Sequence, residues 1–128
     1  MFIIDSNKTI HLTRGDIATI SVSASEATNP DALYIFKPGD IVRFMVLKKK
    51  DCNSILLSKC VEVLEDTEVV DITLATEDTK TFNALNKPED YWYEIELNPD
   101  TEPQTIVGYD QDGPKIFRLY PEGVTSIG

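Results

Sequence analysis

Trp92 is the single tryptophan of the chain and lies inside the run Tyr91-Trp-Tyr-Glu-Ile-Glu-Leu97. In a strand, alternation puts Tyr91, Tyr93, Ile95 and Leu97 on one face and Trp92, Glu94 and Glu96 on the other. An indole flanked by two carboxylates on an outward face has two chemical uses. It stacks on a sugar ring whose hydroxyls the acids accept, or it anchors a protein contact. Trp92, Glu94 and Glu96 are therefore the candidate partner or sugar contacts. A covering loop or neighbouring strand is the plainer explanation of the same pattern.

Catalytic chemistry finds little to work with. His11 is the only histidine, and Ser–His or Cys–His catalysis needs a nucleophile and an orienting acid beside it. No nucleophile-elbow pattern is present, so His11 reads as a surface or half-buried strand residue. Carboxylate pairs for glycoside hydrolysis need only two acids at the right separation. With 22 acids on a small surface such pairs arise by chance. No Gly-rich phosphate loop, CxxC or HExxH occurs. The expectation is a protein without catalytic residues, cofactor-binding residues or cofactors, and not an enzyme.

Metal ligation is equally thin. Cys52 and Cys60 have no nearby histidine, and zinc would need two further ligands. A reducing cytoplasm disfavours a disulfide, so both read as free thiols, with Cys60 buried. Asp110, Asp112 and Gly113 match the start of a calcium loop, but Pro114 and Lys115 stand where more oxygen ligands are required. A hairpin turn is expected there, with no metal. Arg14-Gly15-Asp16 matches the cell-adhesion tripeptide, yet reads as a turn in which Gly15 supplies a positive φ.

Composition narrows the partners. The formal net charge of −10 repels phosphate backbones and anionic lipid surfaces. Lys48-Lys49-Lys50 is the one basic candidate, and it reads as a solvated turn. Neither nucleic acid nor membrane is expected as a partner, and like-charge repulsion predicts a monomer or weak oligomer in isolation. No apolar run approaches the ~20 residues of a membrane span. The N-terminal Met-Phe-Ile-Ile-Asp lacks the basic start of a signal peptide, so synthesis in a cytoplasm is expected.

The elements that must carry these residues are strands. Ala18, Ile20, Val22 and Ala24 alternate with Thr19, Ser21 and Ser23, and Val42, Phe44 and Val46 alternate with Arg43 opposite. Further strand patterns cover Ile55 to Val63, Val70 to Leu74, Gln104 to Tyr109 and Lys115 to Tyr120. Pro38-Gly-Asp40, Asn98-Pro-Asp100 and Asp110 to Pro114 supply turns. Thr76 to Phe82 breaks the pattern as one short helical turn, with Thr76 as the expected cap. Seven or eight short strands at this spacing predict an all-β, antiparallel sandwich forming a single domain over residues 1–128. Its predicted core comprises Ile20, Val22, Val42, Phe44, Val46, Ile72, Leu74, Tyr93, Ile95 and Leu97.

An ordered set of segments runs through this scaffold. Ile10-His-Leu-Thr-Arg-Gly-Asp16 leads to Phe36-Lys-Pro-Gly-Asp40 and Ile41-Val-Arg-Phe44. Ile72-Thr-Leu-Ala-Thr-Glu-Asp-Thr79, Tyr91 to Leu97 and Gln104-Thr-Ile-Val107 follow, then Phe117 and Pro121-Glu-Gly123. Over roughly residues 8 to 123 the succession resembles the N-terminal domain family of the baseplate upper protein of tailed phages and prophages of Gram-positive bacteria. The resemblance implies an immunoglobulin-like sandwich in the virion tail, made in the host cytoplasm. It further implies a non-catalytic structural role through contacts with other tail or baseplate proteins. The alternative of a different class is a small carbohydrate- or ligand-binding sandwich module.

Overall fold

Alternation governs the strands. Ala18, Ile20 and Val22 are buried while Thr19 and Ser21 are exposed, and Val70, Ile72 and Leu74 repeat the rule with Asp71 and Thr73 outside. The computed structural model describes residues 1–26, 28–29, 31–48, 51–83 and 86–122, with 51–53 described by backbone alone. Lys49, Lys50, the side chain of Cys52 and Gly123 lie outside that set. The elements in order are β1 (Phe2–Ile4), β2 (Ile10–Thr13), β3 (Ala18–Val22), β4 (Ile41–Lys48) and β5 (Asp51–Glu62). They continue with β6 (Val70–Leu74), α1 (Thr76–Lys80), β7 (Glu89–Leu97), β8 (Gln104–Val107) and β9 (Lys115–Tyr120).

The strands form two sheets. The larger runs β1-β2-β9-β7-β4-β5, with β8 paired to the stretch of β7 that β9 leaves free, and the smaller is β3-β6. With β4-β7-β9 in one sheet and the pair β3-β6 in the other, the strands make a sandwich-like, all-β arrangement. Among the described strands every ladder but one is antiparallel, as expected. β2 and β9 are parallel, with Ile10 beside Phe117 and Thr13 beside Tyr120. Their connection is the rest of the domain, so the short loops that forbid a βαβ unit place no limit on this pair.

Every predicted core residue belongs to one buried cluster drawn from both sheets. Ile10, Leu12, Phe36, Phe117 and Leu119 join it, each fully buried. Phe44 sits at its centre, 5.7 Å from the Tyr93 ring and 6.2 Å from that of Phe117.

The helical turn is placed as expected, but its cap differs. Ala75 occupies the capping position, and the Asp78 carboxylate accepts the Ala75 N–H at 2.7 Å. Thr76 lies inside the helix, exposed, so a residue three positions into the turn does the capping that was expected of Thr76. The other end is held by the Arg-Gly-Asp turn. Arg14 donates to the carbonyls of Lys80 and Phe82, and the Gly15 N–H donates to Thr79 Oγ1 at 2.7 Å. Gly15 has φ +90°, a backbone conformation that side-chain-bearing residues rarely adopt, so glycine suits this turn.

Candidate functional site

Trp92 is carried by β7, whose other face is clamped into the core by Tyr93, Ile95 and Leu97. The indole therefore points outward from the larger sheet, as alternation predicts. Its row across the sheet is apolar: Ile116 on β9, Trp92 on β7 and Leu47 on β4 are in register, and Ile55 on β5 lies opposite Leu47. Leu47 is 3% exposed and Met45, one row along, is 5% exposed, although neither belongs to the inter-sheet core. Trp92 is half-buried and Ile55 exposed. Tyr109, from the connection between β8 and β9, sets its ring edge-on to the indole at 5.9 Å and is itself exposed.

Polar groups frame the row. Glu94 and Glu96 follow Trp92 on the same face, paired in register with Met45 and Arg43. Burial, assisted by the Glu96 charge, holds the Glu94 carboxyl above its ordinary value. Arg43 donates to Glu96 at 3.3 Å. On the other side Arg118 grips Asp90 with two bonds of 2.6 and 3.1 Å, which raises the guanidinium's pKa. Among the described residues the buried Trp92 Nε1–H and Arg43 Nε have no hydrogen-bond partner, and an unmade bond of that kind is costly when water is excluded.

The arrangement has the parts of a contact surface: an aromatic anchor, aliphatic neighbours and a charged rim. It also has one feature of a sugar site, a second aromatic beside the first. Tyr109 meets Trp92 edge-on, however, so the two rings do not form one flat platform.

The remaining candidates are engaged by contacts within the fold. His11 is half-buried, its Nε2 2.9 Å from the Asp5 carboxylate and its Nδ1 2.8 Å from the Tyr120 hydroxyl. That chain ties the β1–β2 turn to β9, and its hydrogen bond holds the Asp5 carboxyl below its ordinary value. Asp110 accepts from Lys115 Nζ at 2.8 Å and from the Asp112 N–H at 2.9 Å, closing a hairpin turn with Gly113. Its oxygens are thus engaged by cation and backbone. Among the described residues no group of three His, Cys, Asp or Glu could hold a metal ion, and no helix is long and apolar enough to cross a membrane. Asp16 pairs with the N-terminal amine and Arg14 with Glu122, so the tripeptide's two charges are spent within the fold. Cys60 is exposed, which corrects its expected burial. It shares its register with Arg43 on the outward face of β5 rather than with the core-facing Phe44.

Reasoning from the sequence found Trp92, Glu94 and Glu96 but missed Met45, Leu47, Ile116 and Tyr109. A signal was present for two of them. Phe44-Met-Val-Leu47 is an unbroken apolar run, the mark of a strand buried on both faces rather than one. Comparisons with protein-family models, curated proteins and solved structures return no match to this chain.

Proposed function

We propose that this chain is a non-catalytic structural protein of a phage or prophage tail or baseplate, working through protein–protein contacts on its outward sheet face. The observation that carries the reading is the row Ile116–Trp92–Leu47–Ile55, apolar across four strands on a face that an antiparallel sheet commonly leaves polar. A partly covered apolar row, with Ile55 exposed, Trp92 and Ile116 half-buried and a rim of Arg43, Glu94 and Glu96, fits a protein partner better than a small ligand. The ordered resemblance over residues 8 to 123 supplies the class of partner, other tail or baseplate proteins, and the virion as the location. Mass spectrometry of tailed particles purified from a host carrying the gene tests it. The chain is expected at a fixed ratio to the tail proteins, and its absence from particles would overturn the proposal.

One observation favours a second reading, a carbohydrate-binding module. Trp92 and Tyr109 are neighbours, with Glu94 beside them to accept sugar hydroxyls. Because Trp92 is the only tryptophan, its fluorescence reports on this site alone. A saturable change on titration with cell-wall oligosaccharides supports the second reading, and a flat response removes it.

A further inference from the structure

The two sheets are unequal, and among the described residues the narrow one has an edge with no covering strand. β3 pairs with β6 on one side only. Among the described residues, its backbone makes no hydrogen bond on the other side. Behind that edge a slit of about 230 Å³ opens between the sheets. Its lining includes the core residues Ile10, Ile20, Val22 and Ile95, with Val107 of β8 at the rim. The four consecutive residues Ile20 to Ser23 all line it, although alternation turns only Ile20 and Val22 inward. It therefore runs along the strand's edge rather than over its face. A second recess of about 330 Å³ continues it past Ser23 to Ser25 and along Gln104 to Val107, sharing Lys8, Ser23 and Val107. The result is one groove between the edge of β3 and the edge of β8.

We infer that this groove takes an extended strand donated by another protein. Unpaired backbone groups on β3 supply the hydrogen bonds, and the slit receives every second side chain, which is strand addition with its specificity set by alternate residues. A volume of 230 Å³ is below the usual size of a small-molecule pocket. The chemistry of the occupant follows from what this edge faces. β6, the partner that β3 already has, reads Val-Asp-Ile-Thr-Leu, aliphatic inward and polar outward. The groove adds Lys8 at its mouth, an exposed cation whose charge also acts on Asp110. The occupant is thus a short alternating strand with β-branched or aliphatic residues on one face and an acid on the other. A second copy of this chain is disfavoured because it would bring another charge of −10. This inference needs only the edge and the slit, and stands apart from the tail role proposed above.

A synthetic peptide of sequence Val-Asp-Ile-Thr-Leu, acetylated and amidated, is the probe. NMR titration of the intact chain should give saturable amide shifts confined to residues 20–25 and 104–107. A control peptide with its three aliphatic residues changed to serine should give none. Lys8→Glu alters an exposed side chain and should weaken peptide binding roughly threefold, the worth of one surface ion pair. No saturable shift at millimolar peptide, or shifts centred on β5 instead, would overturn the inference. The same shifts appearing without peptide as protein concentration rises would mean that a second copy fills the groove, and would overturn the choice of occupant.

Discussion

Leu47 and Trp92 face each other across the β4–β7 ladder on the outward side of the larger sheet, and Leu47 is as buried there as a core residue. The sheet is thus apolar on both faces along one row. The inward face is explained by folding alone. On the outward face Ile55 and Tyr109 are exposed and, among the described residues, the Trp92 Nε1–H has no hydrogen-bond partner, features that the proposed protein partner would complete.

The inward face sets the stability. Phe44 is fully buried against Tyr93 and Phe117. Phe44→Ala should cost about 3–5 kcal/mol by lost burial and a residual cavity. Denaturant unfolding measures it, and a loss under about 1 kcal/mol would contradict the packing described.

Thr79 is fully buried and accepts the Gly15 N–H. Thr79→Val keeps the shape but removes the acceptor, and should cost about 1–3 kcal/mol. Thr79→Ser retains the hydroxyl and should recover much of that loss. Equal melting of the two variants would show that the hydroxyl plays no part in holding the turn to α1.

Glu94 gives a pH dependence of defined sign. Burial, then the Glu96 charge, raises its pKa above the ordinary 4.5. The folded state therefore binds a proton more readily than the unfolded state. This group's contribution becomes destabilising as the pH climbs through 4.5 and the raised value, and is fully present at neutral pH. Glu94→Gln should raise the melting temperature at pH 7, with the gap closing as the pH falls below 4.5. A gap of opposite sign, or one that does not change with pH, would contradict this.

Asp110 has its carboxyl held below the ordinary range by Lys115, with the Asp112 N–H assisting. Melting curves taken with a chelator and with added calcium should coincide. A rise of several degrees with calcium would mean that the ion displaces Lys115 and that the turn is a cation site.

Much of this was legible in the sequence because alternation is a local signal. Ile20, Val22, Ile72, Leu74 and the inward residues of β7 follow directly from it. Phe2–Ile4 was not legible, since three apolar residues show no period, and β1 forms only because β2 lies beside it. The parallel pairing of β2 with β9 joins opposite ends of the chain, where no local pattern reaches. The site was half legible. Trp92 stood out by type, whereas Tyr109 reaches it from a separate turn, and Met45 and Leu47 hide in a run whose second face only the register reveals. The helix cap was missed for a smaller reason, since Thr76 and Asp78 both suit helix starts and only the backbone shows which residue leads.

The most direct test of the outward face as an assembly surface compares wild type and Trp92→Ala in purified tailed particles, counting copies by quantitative mass spectrometry. Trp92 is half-buried outside the core, so the variant should stay folded, losing less than about 2 kcal/mol. Association should weaken at least about 30-fold, the equivalent of a 2 kcal/mol anchor, and the chain should drop out of the particles. Incorporation of the folded variant at the wild-type ratio would contradict the account.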